Sequence, residues 1–188
     1  MRKVTVTLES ISPYSQGRFH NTPKENKELH DTHEARTWRE KLHVDKDGHV
    51  IIPPMVFKNC IADAAKYLSI QIPGKGKTTY TKHFEAGIMV IDPLVLQIKK
   101  EEVEGKWLHL PSDGRRGGNK RVMKCFPELP EWTGDVTYYV LDDTITADVF
   151  EYHLKQAGQF IGIGVFRPRN NGYFGRFKIV ETKWENEE

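Results

Sequence analysis

The segment Ala157-Gly158-Gln159-Phe160-Ile161-Gly162-Ile163-Gly164-Val165-Phe166-Arg167-Pro168-Arg169-Asn170-Asn171-Gly172-Tyr173-Phe174-Gly175-Arg176-Phe177 is the most informative in the chain. Its glycines, Gly158, Gly162, Gly164, Gly172 and Gly175, permit positive φ and close backbone approach, and can aim successive N–H groups at an anion. Arg167, Arg169 and Arg176 supply guanidinium forks for phosphates. Phe166, Tyr173, Phe174 and Phe177, set among them, offer flat faces for bases. A purely structural reading stays open, with the glycines in tight turns and the aromatics in the core. Phe177 alternates with Ile179 and belongs on a buried strand face either way.

A helix precedes this segment and a strand succeeds it. Asp142-Asp143-Thr144 reads as the cap of the helix, Val149, Leu154 and Ala157 as its apolar side, and Gly158 as its left-handed stop. The last strand is expected over Phe174 to Glu181 and another over Gly134 to Leu141. At the other end, Lys3 to Glu9 alternates and forms a half-buried strand. Ser15 to Thr37 is a polar excursion, helical near His33 to Lys41, and Val44 to Ile52 is a hairpin turning at Asp47-Gly48. Pro53-Pro54 opens a helix with Phe57, Ile61, Ala64, Ala65 and Leu68 on its apolar stripe. Ala86 to Lys99 reads as a central strand bent at Asp92-Pro93. Between about 100 and 133 an arm is inserted, pairing Lys106 to Leu110 with Lys120 to Cys125. The order predicts one α+β domain over 1–188, with a ferredoxin-like, RRM-like βαββαβ core and surface insertions at about 13–43 and 100–133.

The chain has 188 residues, and its 28 Lys and Arg nearly cancel its 26 Asp and Glu. No apolar run approaches the roughly 18 residues of a membrane span, and the N-terminus enters a strand without a signal-like segment, which predicts a cytoplasmic protein. Two cysteines are too few for a disulfide framework. The charges are segregated: 158–178 carries four cations and no acid, 114–124 five and no acid, and 58–83 five against Asp63. A basic face on a nearly neutral chain is the footprint of a polyanion partner. It nominates Lys58, Lys75, Lys77, Arg115, Arg116, Lys120, Arg121, Arg167, Arg169, Tyr173 and Arg176 as nucleic-acid contacts. Lys58, one turn into the first helix, is expected on the phosphate path of Arg167 and Arg169, or else paired with Asp63 or facing solvent.

Several familiar chemistries are disfavoured. Gly162-x-Gly164 has Arg167 where a dinucleotide fingerprint needs its third glycine, and it leaves a helix instead of entering one. Gly76-Lys77-Thr78 ends like a Walker A loop, yet Gln71 replaces its first glycine and Thr79 to Phe84 lacks a helical pattern. His30, Asp31 and His33 lack a second ligand pair, so no metal or cofactor is expected. His20 or His83 could serve as a general base for RNA cleavage, although nothing in the sequence sets a partner beside either.

The helix ending at Gly158, the Gly162-Ile163-Gly164 turn, the arginine and Gly172-Tyr173-Phe174-Gly175-Arg176-Phe177 together resemble the glycine-rich loop of the repeat-associated mysterious protein (RAMP) superfamily, RNA-binding subunits of CRISPR effector complexes. Ile52-Pro53-Pro54-Met55-Val56-Phe57-Lys58 similarly resembles the segment opening the first helix of its backbone-forming members. The whole chain also looks like phage and mobile-element proteins ending in Gly-Ile-Gly, Arg-Pro and Gly-aromatic-Gly-x-Phe. The resemblance implies an RNA-recognition-like core, a thumb-like basic arm, and single-stranded RNA or DNA bound along the sheet and glycine loop by a phage-encoded homo-oligomer. No catalytic residue transfers with it. The rival expectations are a metal-independent endoribonuclease and a protein-binding inhibitor of a host defence complex.

Overall fold

Val4, Val6 and Leu8 on β1 (Arg2–Ser10) are fully buried, as the alternation requires, and the strand is the hub of the fold. β1 pairs antiparallel with β7 (Thr133–Val140) on one side and with β8 (Phe177–Glu185) on the other. A two-residue strand, β3 (Ile88–Met89), completes a four-stranded sheet in the order β3-β7-β1-β8. The computed structural model describes residues 1–115 and 117–185; Arg116 and the acidic 186–188 lie outside the described residues.

α2 (Pro54–Leu68) and α4 (Ala147–Gln156) cover one face of this sheet. Pro54 starts α2 at a position whose N–H has no intrahelical partner. Phe57, Cys60, Ile61, Ala64 and Ala65 then enter the core beside Val4, Val6, Tyr138, Phe150 and Leu154. Each large apolar side chain withdrawn from water contributes about 1.5–3 kcal/mol. The chain is therefore an α+β fold of antiparallel sheets, and among the described residues no helix is long and apolar enough to cross a membrane.

Several expected boundaries move. Thr81–Gly87 is a helix, α3, where the sequence carries no helical pattern, and Ala86 begins no long central strand. Tertiary packing overrides weak local propensity here: Phe84 is fully buried, stacking near Tyr80 and His153, and Lys58 Nζ donates to the Glu85 carbonyl. After Asp92-Pro93 the chain leaves the main sheet, and β4 (Leu94–Lys99) pairs with β2 (His49–Ile52) in a separate ribbon. Thr146 caps α4, accepting from the Val149 N–H, whereas Asp142 accepts from the Thr144 N–H and pairs with His83 Nδ1 at 2.6 Å. β8 runs to Glu185 and starts only at Phe177, because Gly172 to Gly175 remain in the loop.

The excursion and the arm fold onto each other. β5 (Glu104–Pro111) and β6 (Arg121–Glu128) form the expected hairpin, Lys106 opposite Phe126 and Leu110 opposite Val122. The excursion lays α1 (His30–Thr37) and a 3-10 turn, Trp38–Lys41, against β6. Glu34 accepts from the Cys125 N–H at 2.8 Å and from Lys41 Nζ, while Lys41 also donates to the Cys125 carbonyl at 2.7 Å. The base of the arm is thus locked to the body by a shielded ion pair, both of whose members also bond to the Cys125 backbone.

Candidate nucleic-acid interface

The glycine-rich segment begins with a π-helical turn, Ala157–Ile161. Gly158 lies inside that turn without positive φ, contrary to the expected left-handed stop; a Cβ there would strike the Phe177 carbonyl. The left-handed position falls to Gly162, at φ 70°. Gly164 (φ 75°) and Gly175 (φ 73°) combine positive φ with crowding: a Cβ on Gly164 would meet the Ser15 carbonyl, and one on Gly175 the Ile163 carbonyl. Gly172 is needed for close approach to the Phe166 carbonyl. Phe166 itself sits at φ 57°, its ring edge-on to Phe126 and Phe174.

This close packing gives the loop's N–H groups partners within the protein. Val165 donates to Ser15, Gly175 to Pro13, Ile163 to Gly175, and Phe174 to Phe166. The expected backbone cradle for an anion is therefore not what these amides form. The loop instead grips residues 13–17, the start of the excursion, and so positions the residues immediately after Gly17. A Cβ on Gly17 would lie 3.0 Å from Val165 Cγ1.

Those residues are Arg18-Phe19-His20. With Lys41 and Glu34 of the excursion, Lys124 and Phe126 of β6, and Val165 of the loop, they line a cleft of about 440 Å³. Phe19 is 85% exposed and lines the cleft together with Arg18, Lys41 and Lys124. Lys41 Nζ lies 4.8 Å from the centre of the Phe126 ring, a cation–π contact. The cations also act on neighbouring titrations. Burial first, and then the Arg18 charge, hold His43 below its ordinary value. Glu40 is lowered chiefly by its hydrogen bond from Lys100, with help from the charges of His20 and Arg18.

The nominated residues divide into separate groups. Arg115, Lys120 and Arg121 are exposed at the hairpin tip; Arg121 donates to the His109 carbonyl, and Arg116 lies outside the described residues. Arg169 and Tyr173 are exposed on the glycine loop. Arg176 is held by the carbonyls of Gln159 and Tyr173, and Arg167 pairs with Asp63 at 3.5 Å. Lys58 takes neither expected partner; its bond to Glu85 turns it toward α3. The loop meets α2 on another side, through Cys60, Asp63 and Tyr67, so Lys58 and Arg167 share no groove. Lys75 and Lys77 are exposed on a loop of their own.

The sheet contributes little to such an interface. On the face away from α2 and α4, Lys3 pairs with Glu185, Lys183 with Glu181 and Lys178 with Glu9, while Thr7 donates to Asp135. These charges cancel, leaving Tyr139 without the row of aromatics that a stacking surface needs. Composition and periodicity alone leave Arg18, Phe19 and Lys41 as members of a polar excursion. The available signal was Gly17-Arg18-Phe19, which repeats the Gly175-Arg176-Phe177 triplet.

Catalytic groups are sparse. Burial raises the Cys60 thiol well above its ordinary range and pushes Cys125 up to about 11, so neither is a thiolate nucleophile near neutrality. Among the described residues no group of three or more His, Cys, Asp or Glu could hold a metal. His83 is tied to Asp142 outside the cleft, whereas His20 lines it, with Nδ1 3.2 Å from Thr22 Oγ1.

No family model and no curated protein sequence matches the chain. Among solved structures, Cmr6 from Pyrococcus furiosus is similar over 94% of this chain and 97% of its own, with TM-score 0.50 and 11% identity. A Cas6 product complex is similar over 94% of this chain and 50% of its own, with TM-score 0.36 and 11% identity. The likeness to Cmr6 is one of fold, along nearly the whole of both chains.

Proposed function

We propose that this protein binds single-stranded nucleic acid, with RNA the first ligand to test, in the cleft formed by Arg18, Phe19, Lys41, Lys124 and Phe126. One observation carries the reading: three segments distant in sequence converge to set the exposed Phe19 ring in a cleft with Arg18, Lys41 and Lys124. Cations track a phosphate backbone, and exposed rings accept bases whatever the sequence. The tip cations Arg115, Lys120 and Arg121 on the same hairpin, and Arg169 with Tyr173 on the same loop, extend this path. The order β1-α2-β3-β7-α4-β8 is read as the βαββαβ core, with the arm inserted between its halves. Copies adding along one strand would accommodate longer ligands.

Fluorescence anisotropy with labelled oligouridylate, oligothymidylate and a duplex tests the reading. Single strands should bind more tightly than duplex, and Arg18→Gln with Lys124→Gln should weaken binding on the order of tenfold. Equal binding by parent and double variant would remove the cleft from the path. The enzymatic alternative rests on His20 in the cleft wall. Cleavage of labelled RNA in chelator, abolished in His20→Ala, would establish it.

A further inference from the structure

β8 ends the four-stranded sheet. It is bonded to β1 on one side, and among the described residues no strand pairs with its other side. At the opposite end β3 spans only two residues, so the nine-residue β8 is the sheet's long open edge. A row of outward N–H and C=O groups is a template for another strand.

A cleft of about 640 Å³ runs along this edge. Tyr152, Lys155 and Gln159, from α4 and its π turn, form one wall; Phe177 to Ile179 form the other, and Ile11 lies at the margin. Ile11, Tyr152 and the adjacent Val180 are about half exposed. The cleft is cationic: Lys155 and Arg176 stand against Glu151, which accepts from Trp184 Nε1 at 2.9 Å, while the Lys178 ammonium pairs with Glu9 on the other face of the sheet. An open strand edge beside a helix, with apolar side chains between them, is the geometry of strand addition.

We propose that an extended, acidic segment of a partner protein docks between α4 and the free edge of β8. Its backbone continues the sheet, alternate apolar side chains cover Tyr152 and Ile179, and its carboxylates meet Lys155 and Arg176. A polypeptide fits better than a nucleic acid here, because the edge presents carbonyl oxygens that repel phosphate and unpaired amides that only another backbone would match in register. The site shares no residue with the nucleic-acid cleft, so both can be filled at once.

The probe is a labelled, capped peptide of alternating Val and Glu, added to the full chain. Binding should slow hydrogen exchange at alternate β8 amides. Methylating alternate peptide nitrogens, or replacing Glu with Lys, should weaken binding by about tenfold or more. Lys155→Glu should shift the preference from Glu toward Lys peptides while leaving oligouridylate affinity at the other cleft within about twofold. The proposal is overturned if the methylated peptide binds equally well, if β8 exchange is unchanged, or if no binding occurs at the highest soluble peptide concentration. It is also overturned if oligouridylate, and not the peptide, protects β8 in a manner that depends on Lys155.

Discussion

Gly164 and Gly175 hold the cleft in place without touching a ligand, because each lets the loop close against another carbonyl at positive φ. Gly164→Ala and Gly175→Ala should each cost about 1 kcal/mol or more, read as a lowered midpoint in urea denaturation. Both should weaken nucleic-acid binding by shifting Arg18 and Phe19, and unchanged stability and affinity would detach the loop from the site. His153 is a second residue with a measurable signature. It is buried between Tyr80 and Phe84, with Nδ1 2.7 Å from the Val149 carbonyl. Burial lowers its proton affinity below the ordinary value of 6.5, only partly opposed by that hydrogen bond. Below pH 6.5 the unfolded chain therefore binds a proton that the folded chain resists, and stability falls as pH falls until the folded-state value is passed. Half-buried His43, its proton affinity also lowered, acts in the same direction. Melting temperature should decline between pH 7 and 5, and His153→Gln should flatten the decline; an identical slope in the variant would place the loss elsewhere.

The β5–β6 hairpin is clamped at its base by Glu34, Lys41 and Trp38, while its charges sit at the far end. Neutralising Arg115, Arg116, Lys120 and Arg121 together should therefore leave melting unchanged and weaken binding to all sequences alike. Each single-strand phosphate contact contributes about 0.7 to the slope of log affinity on log salt, so loss of two to four contacts flattens it by about 1.4–2.8. An unchanged slope would mean that the tip lies off the path. The hairpin, α2 and the long strands β1, β7 and β8 were legible because each carries its own periodicity: Val4, Val6 and Leu8 alternate, and Phe57, Ile61 and Ala64 recur at helical spacing; the two-residue β3 was hidden in a stretch read as one long strand. α3 was not legible, since its seven residues are fixed by contacts from afar: Phe84 buried in the core, His83 on Asp142, and a cation reaching over from α2. Nor was the locking of excursion to arm, because Glu34 and Cys125 are 91 residues apart and nothing local marks either.

Across the molecule, basic stretches that look continuous in sequence are dealt to different sides of the fold. The first long helix, α2, acts as a divider: Cys60 bonds to the Gly162 carbonyl and Asp63 holds Arg167 on the loop side, while Lys58 reaches Glu85 on the α3 side. A nucleic-acid strand lying in the Arg18 cleft and leaving over Arg169 and Tyr173 does not meet Lys58. Lys58 instead donates to a carbonyl near the end of α3, where a cation also complements the helix dipole at about 0.3–1 kcal/mol. Lys58→Ala should accordingly lower stability by an amount of that order and leave single-strand affinity unchanged. Arg18→Ala should do the reverse, with affinity falling several-fold and melting preserved, because its side chain lines an open cleft. Measuring both variants by thermal melting and by anisotropy separates the two sides of the molecule. If Lys58→Ala weakens binding as much as Arg18→Ala while melting like the parent, the strand crosses α2 and the cleft is only part of its course.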